Sequence, residues 1–181
     1  MRRTMALAVL GLAVGLAVTP AEAAIKRSML LTSFETRALP REDAWVGDGI
    51  AEALSLAFVH HPAFVQIERG RARAFGEPGS RSEADVLKAA RALRADVTVF
   101  GEVHRSAGNF VIRPRYLVLK DGAGEPATLP DMTVPDSELM KQLGALPAAY
   151  MKALGVTLAA AEAARLDAAA RPTTSDRKSV V

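Results

Sequence analysis

Residues 45–54, with the sequence WVGDGIAEAL, set the order of the elements around them. Apolar side chains recur at helical spacing from this stretch onward, at Ile50, Leu54 and Phe58, and His61 continues the series. Leu56 and Val59 widen the same face. Pro62 ends the predicted helix. Short apolar runs at Ser28–Phe34 and Phe64–Glu68 flank it and are typical of strands buried on both faces. The pattern predicts a βαβ unit with a right-handed crossover.

The start of this helix contains two glycines around an aspartate. We predict that Asp48 is the N-cap, since its carboxylate can accept the free amides of the first turn, and that Gly47 turns the chain. A dinucleotide-binding loop would place the glycines directly after the strand, with a third small residue where Glu52 stands. The glycines therefore indicate a structural role.

A second βα step follows the first. The connection Arg69–Arg81 is rich in glycine and arginine and is predicted to be exposed. A capping box at Ser82–Asp85 begins the second helix. The run Asp96–Val103 is predicted to be the third strand, in a central position of the sheet.

The next part of the chain is predicted to form a hairpin. The fourth strand spans Asn109–Lys120, where Pro114 indicates an edge or a bulge, because proline cannot donate to a β-ladder. A short fifth strand is predicted at Ala127–Thr133, and helices follow from Asp136. We therefore expect an α/β fold, a mixed β-sheet with packed helices in the order β-α-β-α-β-β(-β)-α, followed by C-terminal helices.

The N-terminus has the pattern of a secretory signal peptide. Arg2 and Arg3 precede an apolar run, Met5–Val18, and an A-x-A site ends at Ala23. A retained membrane anchor is the alternative, although the run is shorter than the ~20 residues that a spanning helix needs. The chain has no cysteine, so a lipid-anchored cysteine is excluded, and the expected location is periplasmic. We expect a signal peptide at 1–23, an α/β domain at 24–135, a helical segment at 136–170 and a disordered tail at 171–181.

Composition narrows the function classes. Without cysteine the chain cannot use a thiol nucleophile, a disulfide or an iron–sulfur cluster. The net charge of +3 and 5% aromatic content do not indicate a nucleic-acid binder. The three histidines show no H-E-x-x-H spacing, and no G-x-S-x-G motif occurs. We therefore expect no metal, no cofactor and no enzymatic activity.

These segments together resemble a known family. A strand leads to W-V-G-D-G-I-A-E-A-L, then to a strand ending in Glu68-Arg69, then to A-R-A-L-R-A-D-V-T-V-F-G-E-V and a hairpin. From Met29 to Ala170 this order resembles the amino-terminal TolB-like domain of bacterial envelope proteins, a group that includes FlgO-type proteins and the domain that precedes tetratricopeptide repeats. The resemblance implies an anticodon-binding-domain-like fold. It also implies a role in protein–protein contact or envelope assembly rather than catalysis.

The main functional hypothesis is an exported, non-enzymatic interaction or scaffold domain that docks to another envelope protein. A small-molecule or nucleotide-binding regulatory domain is the alternative, and a hydrolase comes third. The candidate interface residues are Trp45, Asp48, Arg69, Arg71 and Arg73. The arginines cluster with Arg81 and suit an acidic protein surface or acidic lipid headgroups, unless they are simply solvated. Trp45, the single tryptophan, is either an interface residue or a lid folded over the sheet.

Overall fold

The computed structural model describes residues 26–59, 61–158 and 160–170, which form helices on both faces of a six-stranded mixed sheet. This confirms the predicted α/β class. The strands are β1 (Arg27–Leu31), β2 (Phe64–Ile67), β3 (Val97–Ser106), β4 (Asn109–Val118), β5 (Pro126–Thr128) and β6 (Met132–Pro135). The helices are α1 (Trp45–Phe58), α2 (Glu83–Ala92), α3 (Leu139–Gln142), α4 (Ala145–Ala153) and α5 (Ala160–Ala170). The predicted signal peptide and disordered tail lie outside the described residues.

The sheet order is β2-β1-β3-β4-β5, and β6 also pairs with β4. β1 is parallel to β2 on one side and to β3 on the other, while β3 and β4 form the predicted antiparallel hairpin. The first crossover runs from β1 to β2 on one side of β1, and the second runs from β2 back across to β3 on the other side of β1. Right-handed crossovers in opposite directions put α1 and α2 on opposite faces. In open α/β sheets, ligands bind outside the carboxyl ends of the strands, at the point where the direction of the connections reverses.

The larger core cluster joins one face of the sheet to α1, α3, α4 and α5. Tyr150 of α4 is fully buried there, and its hydroxyl lies 3.2 Å from the carbonyl oxygen of Phe100 and 3.3 Å from that of Arg115. α5 packs against α1, where Nε2 of His61 lies 2.9 Å from Oε1 of Glu162. The C-terminal helices thus share one core with the sheet. None of the helices in the described ranges has the length and apolar character needed to cross a membrane.

Two predictions about α1 are wrong. The helix begins at Trp45 after Ala44, which makes no side-chain cap, so Asp48 lies inside the first turn and is not the N-cap. Gly47 does not turn the chain either, because it is buried within the helix. The amide of Phe34 donates to the carbonyl of Gly47 at 3.2 Å, which holds the helix start against the loop after β1. Tertiary packing, rather than capping, therefore sets the start of α1.

The predicted apolar face of α1 is too wide. Ile50, Leu54 and Phe58 are buried as expected, but Leu56 and Val59 are 54% and 48% exposed. Both lie away from the sheet because they are offset from the stripe by about a quarter turn or more.

Pro114 does not mark an edge strand, because β4 pairs with β3 on one side and with β5 and β6 on the other. Its position falls between the residues that pair with β5 and those that pair with β6. Gly101 of β3 lies opposite Pro114, and its carbonyl accepts from the amide of Glu35. Because that carbonyl is used elsewhere, the missing amide of Pro114 costs no ladder hydrogen bond with β3. The predicted fifth strand is two short strands, β5 and β6, on either side of Pro130.

The capping box of α2 is confirmed. The side chain of Ser82 accepts from the amide of Asp85 at 3.3 Å, and the carboxylate of Asp85 accepts from the amide of Ser82 at 3.1 Å. Hydrogen bonds from the Ser82 hydroxyl and amide lower the pKa of Asp85. α2 therefore starts where the sequence predicts.

Candidate functional site

A cleft of about 400 Å³ lies at the carboxyl ends of β1 and β2, next to the first turn of α1. We call it the arginine cleft. Its lining residues are Leu31, Thr32, Ser33, Asp48, Glu68, Arg69, Gly70, Arg73, Pro78 and Arg81. Of the predicted interface residues, the structure brings Asp48, Arg69 and Arg73 together here and leaves Trp45 and Arg71 outside the lining.

The connection after β2 forms the wall of this cleft. Residues Arg69–Phe75 make a 3₁₀ segment in which Ala72 is buried against Leu30 and the α2 side of the sheet. With Ala72 inside, Arg71 and Arg73 on either side of it are exposed. The prediction that the connection Arg69–Arg81 is exposed is therefore wrong at Ala72 and Arg81, which are buried.

Arg81 is the most unusual side chain of the cleft, with only 5% of its surface exposed. It forms no ion pair within 4.0 Å with any described residue, and its Nε has no hydrogen-bond partner among them. Burial lowers the pKa of the Arg81 guanidinium, the carboxylates of Asp48 and Glu77 partly offset this, and the charge of Arg73 lowers it further. A buried cation without a partner is costly, so its presence calls for an explanation.

Sequence reasoning placed Arg81 in the arginine cluster but missed its burial. The chain folds back at Gly76 and Gly79, which both have positive φ angles of 118° and 74°. Gly79 packs close to Thr36, whose amide donates to the carbonyl of Gly79 at 2.8 Å. This contact between distant parts of the chain brings Arg81 inward. In the sequence, only the two glycines indicated that the chain folds back here.

The other charged groups of the cleft differ in whether they are paired. Arg69 forms an ion pair with Glu52 of α1, and Asp48 accepts a hydrogen bond from the hydroxyl of Ser33. Arg73, like Arg81, makes no ion pair within 4.0 Å in the part of the chain that the structure describes. Two unpaired guanidinium groups therefore face one cleft.

Trp45 is the first residue of α1 and is 55% exposed. The prediction that it lies in a loop is wrong. It belongs to none of the three core clusters of the described residues, so it does not close over the sheet as a lid. Its ring lies beside Gly49 of the same helix. Trp45 and Asp48 are three residues apart, so they lie on one face of α1. The exposed indole therefore belongs to the same helical turn as a lining residue of the arginine cleft.

Two other side chains with possible acid–base chemistry, Glu102 and His61, have structural partners. Glu102 lies within β3, opposite Arg113 of β4. The guanidinium of Arg113 contacts the carboxylate of Glu102 at 3.2 Å and that of Asp131 at 3.0 Å. Nδ1 of His61 accepts from the amide of Ala63 at 3.2 Å. Within residues 26–59, 61–158 and 160–170, no three metal-ligating side chains come together. His60 lies outside the described residues.

Comparisons with known proteins find only distant structural similarity. No protein-family model matches the sequence, and no curated protein matches it. The LpoB C-terminal domain from Salmonella enterica aligns at 12% identity and a TM-score of 0.42, covering 61% of this chain and 83% of that domain. LpoB from E. coli aligns at 11% identity and a TM-score of 0.42, with 60% and 58% covered. PelC from Paraburkholderia phytofirmans, a dodecamer, aligns at 18% identity and a TM-score of 0.40, with 77% and 94% covered. Such weak similarities assign no shared function.

Proposed function

We propose that this chain is an exported, non-enzymatic interaction domain that docks to another protein of the bacterial cell envelope. The docking surface comprises Trp45 and the rim of the arginine cleft. The sequence supports the location through its signal-peptide pattern, and the TolB-like order of its segments supports the class. Export places the surface among periplasmic proteins rather than nucleic acids.

One observation carries this proposal: the first turn of α1 holds both the exposed indole of Trp45 and, three residues on, Asp48, which lines the arginine cleft. Tryptophan and arginine are enriched in the residues that dominate protein–protein binding. An exposed tryptophan beside unpaired arginines suits a partner that offers an apolar pocket and acidic groups. Membrane headgroups could meet the same arginines, and that contact is an outcome of the experiment below.

The alternative function is a regulatory domain that binds a small molecule. The volume of the arginine cleft, about 400 Å³, lies within the range of small-ligand sites. In that case the cleft alone would bind the ligand, and Trp45 would have no role. The two functions therefore differ in whether Trp45 is needed.

Photo-crosslinking in living cells tests the docking function. A photoreactive phenylalanine derivative replaces Trp45 in one strain and Val59 in another. Val59 is a matched control because it is 48% exposed and directly follows the opposite end of α1. We expect a protein adduct of one discrete mass from position 45 and none from position 59. Lipid adducts alone, or equal adducts from both positions, would refute protein docking through this surface.

Export is tested by the mass of the chain recovered from the periplasm. The predicted cleavage gives a mature protein that begins at Ala24. Replacing Ala23 with a bulky residue should leave the precursor uncleaved. A full-length chain recovered from the cytoplasm would contradict both the location and the docking partner.

A further inference from the structure

We propose that the arginine cleft is a carboxylate-binding site in which Arg81 and Arg73 hold one carboxylate group of a ligand. The site is the recognition element of the docking surface if the carboxylate belongs to a partner protein, and to that extent the inference rests on the proposed function. The site itself does not depend on it. The chemistry is the same for an acidic peptide segment and for a free small carboxylic acid.

The first argument is the state of Arg81. The residue is 95% removed from solvent, and its Nε has no hydrogen-bond partner among the described residues. It forms no ion pair within 4.0 Å with them, and it lines the cleft. Leaving such a group unpaired costs free energy that a bound anion recovers through charge-assisted hydrogen bonds. Residues that break the rules of packing in this way are typical of functional sites.

The second argument is the position of Arg73. Its positive charge is close enough to Arg81 to disfavour the charged form of that guanidinium. Two like charges that line one cavity repel each other, and an anion bound between them offsets that repulsion. Arg69, the third arginine of the lining, is already paired with Glu52 and contributes less.

The third argument identifies the anion. Arg69 is neutralised by Glu52, so the two remaining arginines of the lining, Arg73 and Arg81, face two carboxylates, Asp48 and Glu68. A carboxylate has a planar shape that matches the fork of a guanidinium, and its single negative charge adds less repulsion with Asp48 and Glu68 than a more highly charged anion would. A phosphate group carries about −1.5 to −2 at neutral pH and would be repelled by the same two carboxylates. The charge of the lining therefore favours a carboxylate.

Calorimetric titration of the purified chain tests the site with four probes. These are succinate, a blocked hexapeptide of alternating glutamate and serine, the same peptide with glutamine in place of glutamate, and inorganic phosphate. We expect at least one carboxylate probe to bind, and the glutamine peptide and phosphate to bind at least tenfold more weakly. Equal or tighter binding of phosphate, or no binding of either carboxylate probe, would overturn the proposal.

Three variants locate the binding. Arg81→Met and Arg73→Gln should each weaken carboxylate binding about tenfold or more, since a hydrogen bond to a charged group is worth ~1.5–3 kcal/mol. Arg71→Gln is the matched control, because Arg71 is equally an exposed arginine of the same 3₁₀ segment but does not line the cleft. If Arg81→Met does not fold, the contrast between positions 73 and 71 decides alone. Equal affinity in the Arg73→Gln and Arg71→Gln variants would disprove the site.

The two carboxylate probes separate the possible sources. Binding of the acidic peptide identifies a partner segment and deepens the docking function. Binding of succinate alone leaves the carboxylate site intact and favours the regulatory alternative. Conversely, crosslinks from position 45 in a protein that binds neither probe would keep the docking function and reject this site, so the two failures are distinguishable.

Discussion

Gly47 of α1 and Phe34 of the loop after β1 approach each other so closely that no side chain fits between them. The amide of Phe34 donates to the carbonyl of Gly47 at 3.2 Å. A Cβ atom on Gly47 would lie 2.7 Å from Cγ2 of Thr36 and still closer to the carbonyl oxygen of Phe34. This contact holds the first turn of α1, with Trp45 and Asp48, at the carboxyl end of β1.

The first prediction uses the two glycines of this turn. Gly47→Ala should lower the free energy of unfolding by about 1–3 kcal/mol, because the extra methyl group must displace backbone atoms. Gly49→Ala is the control, since a Cβ there meets the ring of Trp45 at an ordinary 3.4 Å. That change should raise stability by up to ~1 kcal/mol through helix propensity. Urea unfolding followed by circular dichroism measures both, and equal effects would contradict the proposed contact.

Local patterns predicted the elements whose residues interact with near neighbours. The βαβ order, the β3–β4 hairpin and the Ser82–Asp85 capping box are all confirmed. They depend on periodicity and on short-range hydrogen bonds, which a sequence displays directly.

Contacts between distant residues were not predictable in the same way. Asp48 looked like an N-cap because it precedes an apolar helix, yet Gly47 packs on Phe34 and the helix begins three residues earlier. Arg81 looked like a surface residue because its burial depends on Gly79 meeting Thr36, which is far away in sequence. The sequence thus indicated which arginines cluster, but it could not show which of them the fold leaves buried and unpaired.

The second prediction concerns the hydroxyl of Tyr150. Tyr150→Phe should cost about 0.5–1.5 kcal/mol, because it removes a buried hydrogen bond to the carbonyl of Phe100 and leaves that site without its donor. For a domain of this size the shift in melting temperature would be about 2–4 °C per kcal/mol. Tyr116→Phe is the control, since Tyr116 is only partly buried. An equal shift in the two variants would contradict the role of the buried hydroxyl.

Tyr150 also predicts an alkaline limit to stability. Burial raises the pKa of its phenol well above the usual value, so the folded state holds the neutral form more strongly than the unfolded state does. This contribution is present below the unfolded pKa of about 10 and is lost as the pH rises above it. The melting temperature of the wild type should fall more steeply from pH 9 to 11 than that of Tyr150→Phe. Parallel curves would show that the phenol has no part in alkaline unfolding.

The third prediction concerns the acid side. Arg105 contacts Asp43 at 2.6 Å and Asp136 at 2.8 Å, which joins β3 to the start of the C-terminal helices. The hydrogen bond from Arg105 lowers the pKa of Asp136. The resulting stability is present above the unfolded pKa of about 3.9 and is lost as the pH falls below it. Between pH 6 and pH 3, the melting temperature of Asp136→Asn should therefore fall less than that of the wild type.

A double variant checks that Arg105 is the cause. In the Arg105→Met background, Asp136→Asn should change the acid profile much less than it does in the wild type, because the interacting partner is gone. The effect should be modest and should shrink at high salt, since the carboxylate is largely exposed. Independent effects of the two substitutions would indicate another source of acid sensitivity.

The last prediction compares two arginines with opposite surroundings. Arg81 is buried without a partner, whereas Arg105 is held by two aspartates and lies 4.1 Å from the ring centroid of Phe110. Arg81→Met should raise the free energy of unfolding by about 1 kcal/mol, because an apolar side chain of similar length removes an uncompensated buried charge. Arg105→Met should lower it, since both aspartates lose their partner. Urea unfolding at pH 7 in the absence of carboxylates measures both changes. If Arg81→Met destabilises the protein as much as Arg105→Met does, Arg81 has a structural partner within its own chain. That result would contradict a role for Arg81 in ligand binding alone.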